Sequence, residues 1–126
     1  MTKKAVNSDG APSAVGPYSH SVLAGNTLFI SGQLGLDPKT GKLADGVAAQ
    51  AEQGLKNLGA ILKTSGLDYK DVVKTTIFLD DINDFATINE IYGNYFKELL
   101  PARSCVEVGN LPAGGLFEVE AVAVKD

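Results

Sequence analysis

Phe117-Glu118-Val119-Glu120-Ala121-Val122-Ala123-Val124 is the stretch on which the fold turns. Side chains alternate across a β-strand, so this segment presents two different faces. Phe117, Val119, Ala121 and Ala123 share one face, which is wholly apolar. Glu118, Glu120, Val122 and Val124 share the other, which is charged at one end and apolar at the other. The first face requires a covering layer within the chain. The second would be left partly apolar and wet in a monomer, so an oligomer that buries it is expected.

Working outward, two segments can supply the covering layer. Asp45 is placed to cap a helix running to about Ser65, with Gly66 as its stop. Val47, Ala51, Leu55, Leu58 and Leu62 follow at spacings of three and four, which puts them on one helical face. Gly54 and Gly59 each cost about 1 kcal/mol inside a helix relative to Ala, a cost that close packing onto a sheet would explain. The acidic Asp81-Ile82-Asn83-Asp84 begins a second helix, with Phe85, Ile88, Tyr92, Tyr95 and Leu99 as its apolar face and Pro101 as its end.

Strands account for most of the rest. A short one opens the chain, and the Gly10–Pro17 stretch after it reads as an ordered loop. Gly25-Asn26 between Val22-Leu23-Ala24 and Thr27-Leu28-Phe29-Ile30-Ser31 signals a β-hairpin, whose second strand ends at Ser31-Gly32-Gln33. Asp37-Pro38-Lys39-Thr40-Gly41-Lys42 makes a turn. Val72–Leu79 is rich in β-branched residues, and a Gly/Pro/Asn loop joins strands at Ser104–Val108 and Phe117–Val124. The order β-β-β-α-β-α-β-β predicts an α+β, two-layer domain spanning 1–126: one mostly antiparallel six-stranded sheet with two helices on one face.

Composition narrows the function. The apolar fraction of 44% is ample for a core, and a net charge of −4 disfavours a nucleic-acid partner, which calls for a basic face. The lone cysteine, Cys105, precludes a disulfide within the chain and fits a reducing compartment. The amino-terminal segment has no apolar stretch of signal-peptide length, and no run approaches a membrane span. A cytoplasmic protein is expected. No Gly-x-x-x-x-Gly-Lys-Ser/Thr or Gly-x-Gly-x-x-Gly motif and no zinc-ligand spacing occurs, so neither nucleotide, metal nor other cofactor is expected.

Few residues carry chemistry. His20 stands without a second histidine and reads as a plain surface or strand position rather than a base. Cys105 reads as an inert, buried thiol more readily than as a nucleophile. Arg103 lies between a helix end and a strand and shares a strand face with Cys105; it is either a solvated charge or a planar fork for a carboxylate. Glu118 and Glu120 fit two readings, a solvent-facing edge strand or a carboxylate that orients a water molecule.

Several motifs occur in a definite order: Gly16-Pro17-Tyr18-Ser19, Phe29-Ile30-Ser31-Gly32-Gln33, Val73-Lys74-Thr75-Thr76-Ile77-Phe78-Leu79, Asn83-Asp84-Phe85 with Asn89, and Pro101-Ala102-Arg103-Ser104-Cys105-Val106-Glu107-Val108. As a set they closely resemble the Rid family (reactive intermediate deaminases, also called the YjgF family), in its RidA-type branch. The resemblance implies a fold similar to trimeric chorismate mutase, with three chains packing their sheets into a central barrel and sites between neighbouring subunits. It implies hydrolysis of 2-iminobutanoate and 2-iminopropanoate, or their enamine tautomers, released by pyridoxal-phosphate enzymes, to 2-oxo acids and ammonia.

By position, Arg103 matches the family arginine that binds the substrate carboxylate, and Glu118 the glutamate that helps hold the attacking water. Tyr18, Ser31, Gly32, Asn89 and Cys105 match residues that line the cleft, with the Cys105 thiol not required for hydrolysis. Two other readings remain: a non-catalytic module that senses a small carboxylate and acts on metabolic partners, and an RNA-directed role suggested by older names of the family.

Overall fold

The computed structural model describes residues 2–126; Met1 lies outside it. Six strands, β1 (Lys3–Val6), β2 (Ser21–Ala24), β3 (Thr27–Leu34), β4 (Val72–Leu79), β5 (Ala102–Glu107) and β6 (Phe117–Val124), form one sheet in the order β1-β2-β3-β6-β4-β5. All neighbours run antiparallel except β4 and β5, which are parallel. The β2–β3 turn is the expected Gly25-Asn26, with Gly25 at φ 62°.

Two helices, α1 (Val47–Thr64) and α2 (Phe85–Tyr92), accompany the sheet. The apolar face of α1 meets the face of β6 that carries Phe117, Val119, Ala121 and Ala123, and Ala51, Leu55, Leu58 and Leu62 lose all contact with water. At Gly54, an added Cβ would lie 2.8 Å from the Phe117 ring, so this glycine lets α1 settle onto β6. At Gly59, a Cβ would collide with the Tyr69 hydroxyl, which donates to the Leu55 carbonyl at 2.7 Å. Both helical glycines thus answer to close packing. Gly66 (φ 75°) ends α1 in a Schellman arrangement: Gly66 N–H bonds the Lys63 carbonyl and Leu67 N–H the Leu62 carbonyl.

Three local expectations need correction. Asp45 does not cap α1: the chain enters through Gly46 at φ 89°, a conformation open to glycine, and no side chain caps the first turn. The second helix does not run to Pro101. It ends at Tyr92, where Gly93 and Asn94, both poor helix formers, let the chain turn so that Phe96 stacks on Tyr92 at 4.4 Å; Leu99 is left 60% exposed. Asp81 does start this region, but its side chain accepts from Asn83 N–H in a 3-10 turn (Ile82–Asp84) ahead of α2.

The edge-strand reading of Glu118 and Glu120 is also overturned. β6 lies in the middle of the sheet, between β3 and β4. The two glutamates therefore stand on its open face because the helices cover the opposite one, with Val122, Val124 and the half-exposed Phe29 beside them. No helix among the described residues is long and apolar enough to cross a membrane.

Candidate active site

The candidate residues fall into two groups. The first surrounds a cleft of about 550 Å³ on the open side of the sheet, where Tyr18, Ser31, Gly32 and Glu118 come together with apolar Val15 and Leu36. β3 is irregular here. Its register against β6 shifts between Ile30, paired with Ala121, and Gln33, paired with Val119, a bulge that places Ser31 and Gly32 opposite Glu120. Ser31 is held by two bonds: its N–H donates to the His20 carbonyl at 2.9 Å, and its hydroxyl donates to the Ser19 carbonyl at 2.7 Å.

Gly32 makes room for Glu118. A Cβ on Gly32 would lie 2.5 Å from Glu118 Oε2 and 2.8 Å from its carboxyl carbon. The carboxylate therefore lies directly over bare backbone. Burial raises its pKa above the ordinary carboxylate value, and the neighbouring Glu120 adds to the rise. A carboxyl moved toward neutrality on a glycine-lined floor is suited to take and return a proton.

The cleft's far wall is tied to α1 by buried amides. Asn57 Nδ2 donates to the carbonyls of Leu34 and Leu36, at 3.0 and 2.9 Å. Gln50 Oε1 accepts from Leu116 N–H at 2.8 Å, two residues ahead of Glu118, and its Nε2 donates to the Ala44 carbonyl. These amides, unremarked in the sequence, fix both ends of the wall. Their signal was two polar residues on the apolar side of a helix.

The second group is Arg103, Cys105 and Asn89. Arg103 sits on β5, the edge strand, opposite Thr75 of β4. Its guanidinium lies over two rings of α2, 5.3 Å from the Phe85 centroid and 4.9 Å from that of Tyr92. Tyr92 is itself anchored by a 2.7 Å bond between its hydroxyl and that of Thr75. Burial raises the Tyr92 pKa, against the lowering effects of Thr75 and Arg103. The two rings hold the guanidinium in place, and its planar fork of N–H donors is of the kind that suits a carboxylate. In the sequence, Phe85 and Tyr92 read as core residues only; their spacing of seven along one helical face is the sign of a clamp.

Asn89 lies between these rings along α2, and its Oδ1 is buried without a hydrogen-bond partner. Cys105 shares the helix-facing side of β5 with Arg103, as expected, and packs against the core. Burial raises its pKa, opposed by Arg103, so the thiol is not activated as a thiolate. Glu107, next on that side, accepts from Ile82 N–H at 2.9 Å and ties β5 to the start of the second helical region.

The chain does not bring the two groups together. Thr75 pairs with Arg103 and Phe78 with Glu118 across β4. Arg103 and Glu118 are thus two strand spacings apart across the sheet and three residues apart along it, roughly 14 Å between backbones. Their side chains also point to opposite faces. His20, expected at a surface or strand position, directly precedes β2 and is 4% exposed; it lies beneath the loop that carries Tyr18, held there by backbone groups on both ring nitrogens. Among the described residues, no group of three or more His, Cys, Asp or Glu could hold a metal ion.

The family described as endoribonuclease L-PSP matches residues 8–125, from the loop after β1 to the end of β6. The chain belongs to this family. It is the Rid, or YjgF, family that the ordered motifs resemble. A human relative named 2-iminobutanoate/2-iminopropanoate deaminase is 51% identical over 126 residues, covering 99% of this chain and 92% of its own. Among solved structures, the YjgF gene product of E. coli has a TM-score of 0.92 at 44% identity, over 98% of this chain and 99% of that one. E. coli TdcF with bound serine has a TM-score of 0.93 at 41% identity, over 98% and 99%. The chain thus shares its overall architecture with these two solved structures.

Proposed function

We propose that this chain, as one Rid domain over residues 1–126, is a cytoplasmic, cofactor-free 2-iminobutanoate/2-iminopropanoate deaminase. Three copies would pack their open sheet faces around a central barrel, as in chorismate mutase of the trimeric kind. The observation that carries this reading is the Glu118 carboxyl, raised in pKa and lying over Gly32 in a cleft of small-molecule size. The relative named for this activity and the serine bound to TdcF support a small amino-acid-like carboxylate as the ligand class.

In this account Arg103 of one copy holds the substrate carboxylate, with Asn89 and Cys105 beside it, while Tyr18, Ser31, Gly32 and Glu118 of the neighbouring copy close over the imine. Glu118 takes a proton from water as the oxygen adds to the C=N carbon and returns it to nitrogen, giving a neutral carbinolamine. Glu118 then carries the carbinolamine hydroxyl proton to the amino nitrogen as C=O forms and the C–N bond breaks, and ammonia and the 2-oxo acid leave. An imine is already electrophilic, so positioning and one proton carrier suffice. The apolar Val15 and Leu36 suit the short alkyl chain of the substrate. The family description names a ribonuclease, but a net charge of −4 supplies little to hold a phosphate backbone.

The test generates 2-iminobutanoate with a threonine dehydratase and traps it with semicarbazide. Added protein should divert the imine to 2-oxobutanoate and suppress the semicarbazone. An unchanged semicarbazone yield contradicts the reading, and tight 2-oxobutanoate binding without turnover would favour a regulatory module instead.

A further inference from the structure

Between β1 and β2, residues 7–20 contain no helix or strand, yet Pro12, Val15 and Tyr18 of this stretch wall the cleft. Val15 is 87% exposed and Tyr18 50%, so the cleft-facing part of the loop has little apolar burial to hold it. Its fixation comes from beneath. Ser8 Oγ donates to the Ala60 carbonyl and accepts from Thr64 Oγ1 at 2.8 Å, which docks the loop's start on α1. From there to Tyr18 the loop is anchored by Ala11, 5% exposed in the core, and by His20.

The His20 ring is bonded at both nitrogens. Nδ1 accepts from Ser8 N–H at 3.0 Å, and Nε2 lies 2.7 Å from the Pro12 carbonyl. A backbone N–H can only donate and a carbonyl can only accept, so the ring accepts at Nδ1 and donates at Nε2. The backbone of the same residue reaches further: His20 N–H donates to Asn7 Oδ1 at 2.9 Å, and its carbonyl accepts from Ser31 N–H on the cleft floor. One side chain thus ties two points of the loop, and its backbone ties them to the bulge that carries Gly32.

We propose that His20 is a positioning residue for the Glu118 cleft: by bridging the Ser8 amide and the Pro12 carbonyl, its imidazole sets the loop that places Val15 and Tyr18 over the substrate. The ring touches no reacting atom. It acts through the loop, and this role rests on the cleft being the deaminase site.

The test compares His20→Leu, which fills the volume but makes neither ring bond, with His20→Gln, whose amide offers one acceptor and one donor. Loss of both ring bonds predicts a rise of roughly tenfold in KM for 2-iminobutanoate in His20→Leu, with kcat changed less. His20→Gln should return KM to within about threefold of wild type. Val72→Ala, a core lesion on β4, should lower Tm without moving KM. A KM in His20→Leu equal to wild type, or an equal defect in His20→Gln, overturns the proposal. Should His20→Leu not fold, Ala14→Gly loosens the same loop with both ring bonds kept, and an unmoved KM there overturns it equally. Amide hydrogen exchange across residues 8–18 separates this idea from the deaminase reading. Faster exchange in His20→Leu, restored in His20→Gln, supports the latch even if wild type proves inactive. Unchanged exchange refutes it even if wild type is a good deaminase.

Discussion

Arg103 and Glu118 are held by opposite means. Arg103 is fixed by what surrounds it: two α2 rings and an anchoring Thr75–Tyr92 bond on the helix-covered side of the sheet. Glu118 is fixed by what is missing beneath it, the side chain that Gly32 lacks, on the side the helices leave open. The first half-site is complete within the chain's own packing. The second waits for a surface the chain does not supply. Because the halves face away from each other, the account needs a neighbouring copy to join them, which is also what the partly apolar open face of β6 calls for.

The comparison can be broken most severely at the two charges. Arg103→Ala should lower kcat/KM for 2-iminobutanoate by about a thousandfold, as loss of a charge-assisted bidentate contact does, with circular dichroism and Tm close to wild type. Glu118→Gln should reduce kcat by a comparable factor and yet raise Tm at neutral pH. The sign follows from its raised pKa. The folded state disfavours ionised Glu118 relative to the unfolded chain, so this destabilisation is present above the raised folded pKa, fades as pH falls from there toward the ordinary carboxylate value, and is gone below it. Melting curves of both proteins from pH 7 to pH 3 should therefore converge at the acid end.

Gly32→Ala is the next largest. The new methyl must push the Glu118 carboxyl aside, which predicts a fall in kcat of roughly tenfold to a hundredfold, with KM less affected. On the packed side, Phe85→Leu removes one ring from Arg103 and should raise KM about threefold, the worth of a partly exposed cation–π contact. Smallest is Glu120→Gln. It removes the second cause of the Glu118 shift and leaves the first, burial, so the acid limb of the kcat/KM profile should move slightly to lower pH. An alkaline limb that moves to lower pH instead would mean that Glu118 works in its protonated form.

Local pattern revealed more of this molecule than pairing did. Val72–Leu79 reads as a strand from its β-branched residues and is one to the residue, and the parity of Phe117–Val124 correctly divides β6 between a covered and an open face. Neither pattern says that β6 lies between β3 and β4, or that β4 and β5 run parallel, because pairing is set by contacts between distant segments. Tyr95 and Leu99 keep helical spacing and so predict a longer second helix, although Gly93 and Asn94 interrupt it. At the site, the shared side of Arg103 and Cys105 follows from strand alternation. The rings over Arg103, the bulge under Glu118 and the burial of His20 do not, since each depends on backbone or side-chain groups brought in from elsewhere in the chain.

The most direct test is complementation between the two inactive halves. Arg103→Ala and Glu118→Gln chains, each nearly inactive alone, are unfolded, mixed in equal amounts and refolded together. If each site takes Arg103 from one copy and Glu118 from the next, random mixing restores both groups at about one site in four, and about a quarter of wild-type activity should return. Activity no higher than that of the separate variants, in a mixture shown to contain hybrid oligomers, would contradict the account.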